Sequence, residues 1–343
     1  MAINYINSIS PAAADGLVAE IYSQIGRDFG AVVEPFSLHS SLPTLLAGVW
    51  AACRETELIG IVPRNIKEII ASAVSHTNQC PYCVDAHTMM LNAIGEHKVA
   101  GFLSFGDASE IADPKLKAIA EWALSTRSPQ SDIVLSPPFS SKEVPEIIGV
   151  AVLFHYINKM VSLFLSETPL PSNRGWLKGT LKRMAGWYFS FSMKRSKSYG
   201  DSLKFLPESE LPLDLIWTQD SPYVAKGFAQ FSIVIDELGE TFLADSIRHC
   251  VQNYIDAWNG EHPGMSTQWS DQAVRDLDDE FKAAGRLVLM SAIAPYQVDE
   301  QLILRFRDIY PEDGALLGAL AWGSFMAAKR IGAWLYAPFS TTR

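Results

Sequence analysis

The sequence predicts an all-α fold, and three observations support this prediction. Apolar residues recur three and four positions apart, as at Leu17, Ile21 and Ile25, which is the spacing of one face of an α-helix. Prolines stand where helices are expected to begin, since proline is tolerated in the first helical turn. No stretch shows the sustained alternation of apolar and polar residues that is typical of a β-strand.

The predicted helices follow one another closely in the first half of the chain. A first helix starts after Asp15, a second follows Pro43, and a third opens at Pro63. The polar residues 77–79 end the third helix, and Pro81 lies in the first turn of the fourth. The chain therefore turns back sharply between its third and fourth helices.

A later apolar run over residues 147–165 is nearly long enough to cross a membrane. His155, Asn158 and Lys159 stand in its middle, where a lone charge is costly in lipid. We therefore expect a long helix buried between other helices, and no association with a membrane.

Charge and cysteine content narrow the class of protein. The 343 residues include 38 acidic and 28 basic residues, which give a net charge of −10. This balance argues against general nucleic-acid binding, which needs clustered basic residues. Four cysteines are too few for a disulfide framework in a chain of this length, and the N-terminus lacks the pattern of a signal peptide. We expect an acidic cytoplasmic enzyme.

One short stretch combines a carboxylate, a cysteine pair and a histidine, namely Glu68, Cys80, Cys83 and His87. The C-x-x-C spacing suggests a redox dithiol or half of a metal site. His87 follows Cys83 by four residues, so the two share one face of a helix that starts near Cys80. The helix N-terminus, the imidazole and the carboxylate can each favour the reactive thiolate. We interpret this stretch as the active site.

The other cysteines leave one alternative open. A structural zinc site needs four ligands, and Cys53 and Cys250 each stand alone. We interpret Cys53 as a small core residue, because free cysteine is among the most buried residue types. A non-catalytic helical module that binds metal or senses redox state remains an alternative.

The full pattern resembles a known active-site signature. Glu68, eleven residues, Cys80-x-x-Cys83, three residues and His87 match the alkylhydroperoxidase (AhpD-like) branch of the carboxymuconolactone decarboxylase family. The resemblance covers roughly residues 42–105 and, more weakly, extends to residue 165. It implies an AhpD-like helical fold and a thiol-dependent peroxidase.

The resemblance also implies roles for individual residues and partners. Cys83 corresponds to the peroxidatic cysteine, Cys80 to a more exposed resolving cysteine, and Glu68 with His87 to a proton relay. The implied partners are a hydroperoxide substrate and an external reductant, either a dithiol protein or a small thiol. We expect a homo-oligomer that uses no cofactor and no metal.

The sequence departs from the family pattern at one position. A histidine usually precedes the second cysteine, and here Tyr82 stands in its place. A phenol with a pKa near 10 is a poor base at neutral pH, so Tyr82 is an accessory residue that donates a hydrogen bond, or His76 substitutes for the missing histidine. A lactone decarboxylase like the family's other branch is the enzymatic alternative, although it has no need of a redox dithiol.

The second half of the sequence repeats features of the first. Pro43 and Gly48 have counterparts at Pro222 and Gly227, each 179 positions later. The same offset places Asn259, His262, Ser266 and Ile247 opposite the four motif residues. A duplicated helical unit with a degenerate second copy explains this pattern. The predicted boundaries are residues 1–165 for the first domain, 166–212 for a linker and 213–343 for the second domain.

The predicted linker contains a basic and aromatic segment, residues 176–197. One interpretation is a docking surface for an acidic partner or an anionic membrane. The other is a connector whose aromatic residues pack onto both halves, which we favour because these residues do not form a single face.

Overall fold

The computed structural model describes residues 3–165 and 197–340. Within these ranges the regular elements are helices and no β-strand occurs, so the predicted all-α fold is confirmed. Residues 176–196, which form nearly all of the predicted basic and aromatic segment, lie outside the described residues.

The helices of the first half begin where the prolines predict. Pro43 and Pro81 are each the first residue of a helix, and Pro63 immediately precedes one. The helices in chain order are α1 (Gly16–Asp28), α2 (Glu34–Ser37), α3 (Pro43–Cys53), α4 (Arg64–Thr77), α5 (Pro81–Ala93), α6 (His97–Leu103), α7 (Pro114–Leu124), α8 (Asp132–Leu135) and α9 (Val144–Phe164).

The second half also begins its main series of helices at a proline, Pro222, and ends in a long helix. Its division from the first half as a duplicated domain stays a prediction. The helices are α10 (Pro222–Phe242), α11 (Asp245–Ala257), α12 (Gln268–Ala273), α13 (Asp279–Ile293), α14 (Glu300–Arg307) and α15 (Asp313–Ser340).

One apolar core runs through both halves of the described chain. Helix α3 packs on α10, and α9 packs on α15. Two glycines allow the first of these contacts to be close, because a Cβ on Gly48 would lie 3.1 Å from Phe231 Cα, and one on Gly227 would lie 3.0 Å from the Ala51 carbonyl oxygen. Helix α3 is consequently buried on all sides from Leu45 to its end.

The long apolar helix α9 is a core helix. It is the helix within the described ranges that is long and apolar enough to cross a membrane, and 94% of its most apolar window is buried inside the protein. Its polar residues His155, Asn158 and Lys159 are buried too. They therefore face other parts of the protein, as the sequence predicts.

Helix α3 continues directly into a π-helical turn, Arg54–Leu58. Such turns are rare and frequently occur at functional sites. The buried Arg54 donates from Nη1 to Glu55 Oε1 at 2.6 Å, and Glu55 Oε1 also accepts from Ser202 Oγ at 2.7 Å. Ser202, in the part of the predicted linker that the structure describes, is thus fastened to the π-helical turn that carries Glu57.

A buried ion pair fixes helix α4 against helix α9. Lys67 Nζ lies 2.6 Å from Glu146 Oε2 and donates to the carbonyl oxygen of Ile59 at 2.6 Å. Glu146 also accepts the N–H of Ile61 at 2.8 Å. Between these two contacts Gly60 has a φ of +124°, and a Cβ there would lie 2.2 Å from the Glu146 carboxylate. This loop sets the position of the helix that carries Glu68.

Candidate active site

Cys80 and Cys83 lie at the start of helix α5. Cys80 directly precedes the helix, and its N–H donates to the Ser75 carbonyl oxygen at 3.0 Å across a turn in which Gln79 has a φ of +54°. Cys83 lies in the first helical turn. Both cysteines are free thiols. The local fold therefore places both thiols at the start of the same helix.

Both cysteines are buried, with exposed fractions of 1% for Cys80 and 3% for Cys83. The prediction that Cys80 is the more exposed of the two is therefore wrong. The turn before α5 folds back onto α4 and covers Cys80, whereas Cys83 borders a cavity. In the described structure Cys80 does not line that cavity.

The cavity beside Cys83 has a volume of about 110 Å³ and a largely apolar wall. Its polar lining comes from a few side chains, among them Glu57, Tyr82 and His87. An apolar wall with a few convergent polar groups is the lining expected of a site for a small organic molecule. The apolar wall includes Phe29, Val33, Phe36, Met89, Leu153 and Ile157.

The predicted relay residues form a hydrogen-bonded pair at this cavity. The side chains of His87 and Glu68 are joined by a bond of 2.7 Å between Nδ1 and Oε2. The edge of one ring meets the face of the other where His87 packs on Phe154, with 4.4 Å between the ring centroids. Glu68 is fully buried behind the imidazole. The pair therefore has one fixed arrangement, with the ring at the cavity and the carboxylate behind it.

Arg64 keeps the buried Glu68 ionised. Its Nε donates to Glu68 Oε1 at 2.8 Å from one helical turn away on α4. Burial opposes ionisation, but the Arg64 charge and the hydrogen bond with His87 outweigh it and lower the pKa of Glu68. A carboxylate anion thus stands behind the imidazole and can stabilise it in the protonated form.

A second carboxylate, that of Glu57, joins this group. Arg64 Nη2 lies 2.9 Å from Glu57 Oε1, and the Cys53 thiol donates to Glu57 Oε2 at 3.5 Å. Glu57 is 2% exposed and lines the cavity. No pattern in the sequence identifies Glu57 as a site residue. Its position at the cavity depends on the π-helical turn that carries it. The i, i+4 spacing of Arg64 and Glu68 on one helix is a signal from which their contact could have been predicted.

Tyr82 is placed as a hydrogen-bond donor and not as a base. Its hydroxyl donates to Glu34 Oε2 at 3.0 Å, and it lines the cavity. Burial, and then the charge of Glu34, raise the pKa of Tyr82. The phenol therefore keeps its proton at neutral pH and ties helix α5 to helix α2.

His76 lies apart from the cavity. Its ring packs against Gly106, where a Cβ would come within 2.2 Å of the imidazole. Gly106 has a φ of +68°, which favours glycine. Among the described residues that line the cavity beside Cys83, His76 does not occur. The structure thus brings together Cys83, His87 and Glu68 with Tyr82 nearby, and leaves His76 out.

One group of side chains near the cavity has the composition of a metal site. Glu57, Glu68 and His87 each offer a ligand atom, and these atoms lie within 4.8 Å of one another. However, Arg64 donates to both carboxylates, and His87 Nδ1 is bonded to Glu68. A cation would have to displace the guanidinium, so the arrangement fits a proton relay better than a metal centre.

The environment of Cys83 favours the protonated thiol. Burial, followed by the hydrogen bond and the charge of Cys80, raises the pKa of Cys83 well above that of an ordinary thiol, while a hydrogen bond with Asn158 opposes the rise. Because the thiolate is the nucleophilic form of cysteine, a reaction at Cys83 would need a base to take this proton. His87 lies one helical turn further along α5 at the same cavity.

Comparison with known proteins shows which family the chain belongs to. The carboxymuconolactone decarboxylase family profile matches residues 45–123, which contain all four motif residues. A Mycobacterium tuberculosis protein named as an alkyl hydroperoxide reductase is 36% identical over 333 residues, which cover 97% of this chain and 95% of that protein. The chain belongs to the carboxymuconolactone decarboxylase family.

Proposed function

We propose that this protein is a thiol-dependent peroxidase that reduces organic hydroperoxides with the Cys80–Cys83 dithiol. The observation that carries the proposal is the position of Cys83 at an apolar cavity, four residues before a histidine that is hydrogen-bonded to a buried carboxylate. The name of the M. tuberculosis relative supports the same chemistry.

In the first step His87 takes the proton of Cys83 while Glu68 stabilises the imidazolium. The thiolate attacks the terminal hydroxyl oxygen of the hydroperoxide, and the O–O bond breaks. The leaving alkoxide takes the proton held by His87 and departs as an alcohol. Cys83 is then a sulfenic acid, oxidised by two electrons, and the hydroperoxide is reduced by two electrons.

In the second step the Cys80 thiol attacks the sulfenic sulphur. The S–O bond breaks, water leaves, and a Cys80–Cys83 disulfide forms. The position of both cysteines at the start of helix α5 supports this pairing, because a disulfide needs its two cysteines close together. An external dithiol then exchanges with the disulfide, restores both thiols and leaves as its own disulfide.

The wall of the cavity supports an organic substrate. Phenylalanine, methionine and branched aliphatic side chains gain free energy when they bury an alkyl or aryl group, and hydrogen peroxide has no such group. We therefore propose cumene hydroperoxide as a better test substrate than hydrogen peroxide. The reductant, a cytoplasmic location and a homo-oligomeric state are further parts of the proposal.

Peroxide consumption with dithiothreitol as reductant tests the proposal. We expect Cys83→Ser to abolish turnover. Without reductant, Cys80→Ser should consume one equivalent of peroxide and stop with a sulfenic acid on Cys83. Cys250→Ser is the matched control, because this half-buried thiol belongs to helix α11 in the second half, and it should keep full activity. Undiminished turnover by the Cys83→Ser variant would refute the assignment.

The same assay separates the lactone decarboxylase alternative. That reaction depends on proton transfer and does not use the thiols. If alkylation of Cys80 and Cys83 left a lactone decarboxylase activity intact, and no peroxide were consumed by the unmodified protein, the alternative would replace the peroxidase.

A further inference from the structure

Asn158 on helix α9 is a buried polar residue that the proposed steps do not use. Its exposed fraction is 0%, and helix α9 packs on helix α5, which carries Cys83. Phe154 stands one turn earlier on the same face of α9 and packs on His87. Cys83 and His87 have the same four-residue spacing on α5. His87 and Phe154 meet across α5 and α9, and Cys83 and Asn158 each lie one turn along their helix from that contact. A hydrogen bond with Asn158 also lowers the pKa of Cys83, which agrees with this placement.

The orientation of the Asn158 amide is fixed by its neighbours. Ser75 Oγ donates its single proton to the Ala71 carbonyl oxygen at 2.6 Å, so it can only accept from Asn158 Nδ2, which lies 3.0 Å away. On the other side Asn158 Oδ1 accepts from Asn78 Nδ2 at 2.9 Å. The oxygen of the amide is thereby committed to Asn78, and one N–H of Nδ2 is committed to Ser75.

The remaining N–H of Asn158 is the one available to the Cys83 sulphur. A primary amide has two N–H groups, and the bond to Ser75 uses one of them. A donor directed at a sulphur atom stabilises the thiolate more than the thiol, because hydrogen bonds to charged groups are the stronger ones. Since an amide is neutral, it does so without adding a charge to an apolar site.

A chain of hydrogen bonds supports this arrangement from behind. His155 Nδ1 is hydrogen-bonded to the Asn78 side chain at 3.0 Å, and His155 Nε2 to Thr126 Oγ1 at 3.0 Å. His155 is fully buried, and burial lowers its pKa, with the charges of Lys159 and Arg127 adding to the effect. The imidazole is therefore neutral and holds Asn78 in place.

We propose that Asn158 is a catalytic residue that donates an amide hydrogen bond to the Cys83 thiolate, and that Ser75 and Asn78 are positioning residues for it. The inference rests on the proposed function, in which the thiolate of Cys83 is the attacking group. It assigns the activation of this cysteine to two sources, a base at the cavity and a hydrogen-bond donor on the opposite helix.

Titratable groups on the elements around the site could also affect Cys83, and a substitution at Asn158 leaves all of these side chains in the sequence. They are Cys80 before α5, Tyr82 and His87 on α5, Arg64 and Glu68 on α4, Glu57 in the π-helical turn, Cys53 on α3, Glu34 on α2, and His155 and Lys159 on α9.

The test is the pH dependence of Cys83 alkylation by iodoacetamide in the reduced protein, followed by peptide mass spectrometry. This readout needs no peroxide. In Asn158→Leu we expect the rate at pH 8 to fall about tenfold, since a hydrogen bond to a charged group contributes roughly a factor of ten or more. The whole titration curve of Cys83 should move to higher pH. Asn158→Asp, which replaces the donor by an acceptor of equal shape, should move it at least as far.

Two further variants keep the test sharp. Ser75→Ala keeps Asn158 but removes the acceptor that orients it, so we expect a smaller shift in the same direction. Asn92→Ala, on the exposed side of α5, is the matched control and should leave the curve unchanged. Circular dichroism shows which variants fold, and Ser75→Ala decides the question if neither Asn158 variant does.

The outcomes separate this inference from the proposed function. An unchanged Cys83 titration curve in a folded Asn158 variant, or in Ser75→Ala where only that variant folds, overturns the role of Asn158, whatever the peroxidase activity. A shifted curve in a protein whose wild type consumes no peroxide supports the role of Asn158 and rejects the peroxidase.

Discussion

At the scale of single residues, the main feature of the site is how its side chains affect the protonation of the Cys83 thiol. In the proposed reaction an organic hydroperoxide binds in the apolar cavity and Cys83 attacks it, but the same apolar surroundings raise the pKa of the Cys83 thiol. Glu68 remains ionised in spite of complete burial because Arg64 and His87 bind both of its oxygens. His87 can therefore accept a proton at the cavity without leaving an unpaired charge.

Replacing Glu68 tests this relay. In Glu68→Gln the amide is neutral and no longer stabilises a protonated His87, so we expect kcat/KM for cumene hydroperoxide to fall roughly 100-fold or more, the usual size of a general-base contribution. Glu121→Gln, a partly exposed carboxylate on α7 in a weak ion pair with Lys117, is the control. Wild-type activity in Glu68→Gln would contradict the relay.

Part of the site could be predicted from sequence because it depends on local geometry. The spacing of Cys83 and His87 needs only a helix that starts near Cys80, and Pro81 gives that start. Glu57, Glu34 and Asn158 could not be predicted, because they reach the site from other helices through tertiary packing. Cys53 belongs to both groups, because its burial was predicted from the sequence and its position at the cavity was not.

At the scale of secondary-structure elements, the position of helix α4 depends on one loop. Gly60 lets the chain pass close to Glu146, whose carboxylate accepts two backbone N–H groups and pairs with Lys67 on α4. Pro63 and Pro81 correctly predicted where helices α4 and α5 begin. The π-helical turn after α3 could not be predicted, since its residues do not differ from those of an ordinary helix end.

Substituting Gly60 tests the role of that loop. Gly60→Ala places a Cβ into the Glu146 carboxylate at a positive φ, so we expect the free energy of unfolding to fall by roughly 3 kcal/mol or more. Gly101→Ala is the control, because it lies in α6 on the surface and no described atom lies within 4 Å of a Cβ there. That variant should be slightly more stable, by about 0.5–1 kcal/mol. Equal stabilities in urea unfolding would contradict the prediction.

At the scale of the whole molecule, the two halves share one core, and buried polar groups lie where they meet. His39 Nε2 is hydrogen-bonded to Tyr156 Oη at 2.9 Å, and the Tyr156 ring packs on Phe231 of α10. Burial lowers the pKa of His39 to about 3 and also lowers the pKa of His155. The repeat in the sequence stays a prediction, and the continuity of the core could not be predicted, because residues at one constant offset need not touch.

These histidines make stability depend on pH. Below pH 6.5, the ordinary histidine pKa, the unfolded chain binds protons that the folded chain does not, so stability falls as the pH falls. Each of the two histidines should lower the free energy of unfolding by up to about 1.4 kcal/mol for every pH unit below 6.5. Urea unfolding at pH 7.5 and 5.5 measures the loss. In His39→Gln this loss of stability should be smaller by the contribution of one histidine. In His97→Gln, a substitution at an exposed position, the loss should be unchanged.

The most direct measurement is mass spectrometry of the protein after one equivalent of cumene hydroperoxide. In the Cys80→Ser variant we predict one added oxygen on Cys83, trapped by dimedone as a sulfenic acid. In the wild type we predict a Cys80–Cys83 disulfide and one equivalent of alcohol. An unmodified Cys83 in both proteins, with the peroxide remaining, would contradict the assignment of this cysteine as the attacking group.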